Sequence, residues 1–226
     1  MSSLKERLEA VMAAPLATLV APDHQERPPL SAVQLWNLPE SDLDALTLWG
    51  LPTDMLMSPK VQLEVEPLLM PKVASEREGR LISPEQRLYD LGRWGSDDLT
   101  PKLGAIAGDG RVMAISDAPT TDAKLRGFLK EYYRGIYIPS VQFISSSVAQ
   151  FIEVAWRWRA ASAILRELSL QEPDCTRRPI EEFDAYVARR TACERLIISG
   201  IEAIDPAVNA DAPDSLWGKV IHLRGY

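Results

Sequence analysis

The sequence predicts an α+β fold, a mainly antiparallel sheet with helices packed on one side. Three observations carry that expectation. Apolar residues recur at helical spacing near both ends, the middle alternates or runs apolar over four or five residues, and Gly108-Asp109-Gly110 joins two of those runs. At 226 residues the chain fits one domain, read here as 1–226 and expected to bury about 70–75% of its unfolded surface.

The elements follow in order. Ser3-Leu-Lys-Glu6 has capping-box spacing and places Leu4, Leu8, Val11 and Met12 on one face of a short helix. Pro28 and Pro29 break regular structure. A second helix is predicted over Glu40 to Trp49, stopped by Gly50 and Pro52. Val61, Leu63 and Val65 alternate with polar residues, as in a half-buried strand. Leu103 to Ala107 and Arg111 to Ile115 form a hairpin, with Asp109-Gly110 supplying the positive φ of a tight turn. Leu125, Phe128 and Leu129 suggest a short helix.

Val141 to Ile144 reads as a further strand. Ser145, Ser146 and Ser147 then cap a long helix, Gln150 completing a box with Ser147. The face of that helix runs Val148, Phe151, Ile152, Ala155, Arg159, Ser162 and Leu165, with burial less continuous after Ala155. Trp156 and Trp158 point to different faces, so one of them is expected partly exposed. Pro179 opens the next helix, with Ile180, Phe183, Val187, Cys193 and Ile197 as its face. Leu216, Trp217, Val220 and Ile221 make a last amphipathic piece.

A net charge of −7 argues against nucleic acid as a partner, since phosphate binding needs a basic stripe. It suits a basic protein partner and also simple solubility. Two cysteines, Cys175 and Cys193, without zinc spacing fit a reducing compartment. Val11 to Ala21 is apolar and follows Lys5 and Arg7, but Glu6, Glu9 and Pro15 speak against a signal peptide. No run approaches the roughly 20 apolar residues that span a bilayer. The expected location is the cytoplasm.

Catalytic material is sparse. His24 and His222 stand apart from carboxylate or nucleophile motifs and read as surface or structural residues. There is no glycine-flanked serine elbow. Gly104 to Gly110 superficially resembles a nucleotide loop, but strand-like Arg-Val-Met-Ala-Ile follows it where a helix is required. The carboxylates of Asp97, Asp98, Asp109, Asp117 and Asp122 could serve as an acid/base or metal set only if they converge; otherwise they are solvated loop residues. No cofactor or metal is expected.

The hairpin Leu103 to Ile115, followed by Phe143-Ile-Ser-Ser-Ser-Val-Ala-Gln-Phe151 and a long helix, is similar to SUKH-type immunity proteins of the fourth subgroup. Leu43 to Pro52, ending Trp-Gly-Leu-Pro, resembles the early helix of that family. Ile204-Asp-Pro-Ala207 with Trp217 resembles its closing Asp-Pro and buried Trp. Ser145 stands where the family often has Asn, and Ala118 to Pro139 is longer than the usual connection. The resemblance implies a SUKH-like fold and stoichiometric neutralisation of a protein toxin, such as a nuclease or deaminase, with no catalytic residues. Such an inhibitor buries roughly 1,600 Å² in total. On that reading Asp97, Asp98, Asp109, Asp117 and Asp122 form an acidic rim for a basic toxin, and Trp94, Tyr132 and Tyr133 are aromatic anchors. A regulatory scaffold of the same fold and an enzyme with a carboxylate site are the competing readings.

Overall fold

The computed structural model describes residues 3–53, 69–95, 100–121, 137–173, 180–212 and 215–222. The strand expected over Val61 to Val65, the short helix at Leu125 to Leu129, Pro179 and Cys175 lie outside these residues.

Helix α1 (Leu4–Ala13) begins with the expected capping box: Ser3 Oγ accepts from Glu6 N and Glu6 Oε2 from Ser3 N. Leu8 is its buried residue. One-turn helices α2 (Leu16–Leu19) and α3 (Leu30–Val33) follow, the latter entered from Pro29. Helix α4 (Glu40–Leu48) ends where Gly50 turns left-handed, with φ of 55°. There the backbone of Glu26 approaches so closely that a side chain has no room. Between these helices, β1 (Gln25–Glu26) pairs antiparallel with β2 (Leu51–Pro52).

The main sheet is built from β3 (Leu88–Arg93), β4 (Lys102–Ile106), β5 (Val112–Ile115) and β8 (Val141–Ser145), antiparallel throughout and in the order β3-β4-β5-β8. A minor ladder joins β6 (Thr120–Thr121) and β7 (Tyr137–Ile138). The β4–β5 turn spans four residues, Ala107 to Gly110, closed by Ile106 N to Arg111 O at 2.9 Å. Positive φ falls on Gly108 (96°) and Gly110 (76°). Asp109 instead accepts from Arg111 N, which tightens the loop.

Strand alternation divides the core. Tyr89, Leu91, Leu103, Ala105, Val112, Ala114 and Ile144 face the helices. Leu88, Ile106, Met113, Ile115 and Val141 face the other way and are covered by Leu69 and Ile82, with Val73 and Leu81. The short helix α5 (Glu76–Gly79) belongs to this smaller side. The α+β class read from the sequence is the observed one, with the long helices on one face.

Helix α6 (Val148–Ser169) is the centre of the molecule. Expected to lose burial after Ala155, it stays buried through Leu168. Trp156 and Trp158 are 0% and 2% exposed, so neither reaches the surface. The reason is encirclement: α1, α4 and β2 pack on this helix, as does α7 (Ile180–Ile204). Trp156 Nε1 donates to Gly50 O at 3.1 Å. Arg157 lies flat and gives its guanidinium to the Val11 and Met12 carbonyls at the end of α1, at 2.8 and 2.7 Å.

The face of α7 also differs from expectation. Ile180 is 71% exposed, whereas the inward stripe runs Tyr186, Arg190, Cys193, Ile197 and Ile201. It passes through a charged pair that neutralises itself in burial, Arg190 Nε to Glu194 Oε1 at 2.7 Å. Helix α8 (Leu216–His222) packs onto α7 with Leu216, Trp217, Val220 and Ile221 buried, as expected.

Candidate functional site

The three serines before α6 divide their work. Only Ser147 caps the helix, its Oγ accepting from Gln150 N at 3.1 Å. The reciprocal half of the box runs through the hydroxyl instead of the backbone amide: Gln150 Oε1 accepts from Ser147 Oγ at 3.1 Å, while Gln150 Nε2 donates to Ile204 O at 2.9 Å. Ser145 and Ser146 turn to Asp205, which is 0% exposed. Its carboxylate accepts from Ser145 Oγ and Ser146 N at 2.6 Å each, from Ser146 Oγ at 2.7 Å and from Ala207 N at 3.2 Å. This clasp ties the end of β8 to the end of α7, across roughly 60 residues of chain.

The start of β8 is fixed by Glu78 on α5, 1% exposed. Its carboxylate accepts from Ala74 N (2.5 Å), Ser75 N (3.1 Å) and Ser140 N (2.8 Å), with the Ser140 and Tyr137 hydroxyls at 3.2 and 3.3 Å. Burial alone would push this carboxyl up, but the donors from Ala74, Ser140 and Ser75 outweigh it and hold it below its ordinary value. The ionised form therefore stabilises the fold above the unfolded carboxyl's range, and that contribution drains as pH falls through the depressed folded value. Glu78→Gln should cost about 1–2 kcal/mol at pH 7 and flatten the loss of stability as pH falls below the ordinary carboxyl range. Urea melts across that range check this; an unchanged acid limb contradicts it.

Between these two anchors lies a groove of about 310 Å³. Val141, Gln142 and Phe143 of β8 line it, with Trp217 and Asn209 on one side and Arg77 with Glu78 on the other. Gln142 is opposite Ala114 on the helix-facing side of the sheet and only 8% exposed. Its Oε1 is buried without a hydrogen-bond partner. A second cleft, about 130 Å³, is lined by Tyr186, Arg190, Glu194 and His222, whose Nδ1 lies 3.0 Å from Glu194 Oε2.

The sequence-derived contact residues do not gather at one place. Asp109 is exposed at the β4–β5 turn and paired with Arg111 at 2.8 Å. Asp117 is exposed past the opposite end of β5, 3.7 Å from Lys72 Nζ. The strand between them, four residues long, spans about 10 Å. Trp94 corrects the expectation of a projecting anchor: it is 7% exposed and packs edge-on against Trp217, with ring centroids 4.9 Å apart. Asp97, Asp98, Asp122, Tyr132 and Tyr133 lie outside the described residues. Among the described residues no three His, Cys, Asp or Glu side chains stand close enough to hold a metal ion. Nor is any helix among them long and apolar enough to cross a membrane.

Gln142 was missed because one polar residue in an apolar strand reads as a solvent-facing position; only the pairing with Ala114 turns it inward. Glu78 had a visible signal, the Ser75-x-x-Glu78 capping-box spacing, which forms in full.

The SUKH-4 immunity protein family model matches residues 11–222, nearly all of this architecture. The chain belongs to the SUKH-4 immunity protein family. The match spans both anchors of β8, so the Asp205 clasp, the Glu78 anchor and the groove all lie within the SUKH-4 region. Neither a curated protein nor a solved structure matches the chain.

Proposed function

We propose that this SUKH-4 protein binds a cognate protein toxin of a polymorphic toxin system and neutralises it one to one, without catalysis, in the cytoplasm. The observation that carries the reading is the family match across residues 11–222. The net charge of −7 favours a basic toxin, a nuclease or deaminase among the candidates, because opposite charge speeds encounter. Asp109 and Asp117, both exposed, are the described members of the proposed set of acidic contacts.

Co-expression with candidate toxin domains, those encoded near its gene first, tests this. Protected cells and a salt-sensitive one-to-one complex on size exclusion are the expected result. Protection without a complex contradicts stoichiometric inhibition. Substituting Asp109 and Asp117 together with Asn should weaken binding several-fold and lower its salt dependence. Unchanged affinity and salt slope would remove the rim.

A further inference from the structure

Exposed apolar surface gathers on the α3–α4 pair. Leu30, Leu35 and Leu48 are each more than half exposed, and they fall on α3, on the link that follows it and on α4. Helix α4 buries Asp42, Ala45 and Leu46. Residues four apart stack along a helix, so Glu40, Asp44 and Leu48 form one row on the opposite side. All three are exposed.

The link before α4 is tied to the β4–β5 turn. Gly108 N donates to Asn37 O at 2.7 Å, and a methyl added at Gly110 would stand 3.2 Å from Pro39 Cδ. Leu35 lies two residues before the first of these contacts and Glu40 directly after the second, so Leu35, the turn and the α4 row adjoin. The link is also fixed from beneath. Trp36 stacks on Tyr89 with ring centroids 4.7 Å apart, and Asn37 N donates to the Tyr89 hydroxyl at 2.7 Å. A surface held in this way has little freedom left to lose on binding.

Charge selects the occupant. Asp109 is already paired with Arg111 at 2.8 Å. The Glu40 and Asp44 carboxylates have no ion-pair or hydrogen-bond partner among the described residues. We propose that Leu35 and the Glu40–Leu48 row of α4 form the face that docks a basic surface of the partner protein. Lys or Arg side chains of the partner would meet Glu40 and Asp44, and apolar side chains beside them would cover Leu35 and Leu48. The covered apolar area supplies affinity, and the carboxylates set the sign of the partner. The inference rests on the toxin-binding reading and names the face that serves it. Asp109 borders this face, while Asp117 lies past the other end of β5.

A displayed library of random 12-residue peptides, panned against the full chain, supplies the probe. The best peptide is titrated into wild type, Glu40→Lys/Asp44→Lys, Leu35→Ser and a control, Glu181→Lys/Asp184→Lys, which reverses two exposed carboxylates on α7. Enriched peptides should join Lys or Arg to apolar residues. Binding should weaken at least tenfold in Glu40→Lys/Asp44→Lys and several-fold in Leu35→Ser, and should hold within about twofold of wild type in the control. Every substituted side chain is exposed, so far-UV circular dichroism should not change. The milder Glu40→Gln/Asp44→Asn, which keeps the shape of both residues, should still weaken binding several-fold. Amide exchange over Leu35 to Leu48 should slow when peptide is bound. No enriched basic peptide, equal affinity for Glu40→Lys/Asp44→Lys, or the same weakening in the control would each overturn the proposal. So would slowed exchange confined to other elements. A Glu40→Lys/Asp44→Lys protein that neutralises toxin as well as wild type would remove the face and leave the immunity reading standing. A wild-type chain that neutralises no toxin yet gives the expected peptide pattern would remove that reading and leave the face.

Discussion

Asp205→Ala should destabilise the protein by about 3–5 kcal/mol, because it leaves buried donors with nothing to replace their acceptor. The carboxylate is fully buried and serves Ser145 Oγ, Ser146 N, Ser146 Oγ and Ala207 N. Hydrogen bonds to a charged acceptor are the stronger kind, and this one has no exposed surface through which water could replace them. Asp205→Asn keeps one carbonyl acceptor but turns an amide toward groups that are donors, so it should recover only part of the loss. Urea unfolding of the three proteins at pH 7 gives the ordering. A loss below about 1 kcal/mol for the alanine variant would mean that the clasp is not a significant part of the native state.

Gly110→Ala is the second large effect, expected at about 2–4 kcal/mol. The residue sits at φ of 76°, a left-handed conformation that costs an alanine roughly 1–2 kcal/mol. The added methyl would also land on Asp42 Oδ2. Asp42 cannot retreat freely. It is 0% exposed, and its Oδ1 accepts from Ala149 N at 2.9 Å in the first turn of α6. Burial raises the Asp42 carboxyl above its ordinary value, with the amides of Ala149 and Val148 opposing that rise. Gly108→Ala is the control. Its φ of 96° carries comparable backbone strain, but only Asn37 Nδ2 lies near the new methyl, at 3.8 Å. The difference between the two variants isolates the displacement of Asp42, and equal losses would dismiss it.

Local chemistry was legible in the sequence and distant pairing was not. The Ser3–Glu6 box, the end of α4 at Gly50 and the glycine turn of the hairpin each depend on residues within a few positions. So did the membership of the long helix. Its surroundings did not follow, because Glu153 and Arg157 look like a solvent face, and only the docking of α1 gives Arg157 its carbonyl partners. The serines before α6 were read as caps since capping is what three consecutive serines do locally. That two of them bind Asp205 depends on the return of the chain roughly 60 residues later. The proposed anchors suffered from the same blindness: an isolated tryptophan such as Trp94 has no sequence signature separating a ring packed on Trp217 from one offered to a partner.

The way α6 begins has a consequence for how the protein comes into being. Its opening residues borrow acceptors from Asp42, 107 positions before Ala149, and from Asp205, 59 positions after Ser146. A ribosome releases the chain from its N-terminal end. The first acceptor is therefore waiting when α6 emerges, whereas the second is still unmade. Until then the serines at the end of β8 lack the carboxylate that they bind in the folded protein. Translation thus leaves the junction between β8 and α6 half-held until Asp205 has emerged.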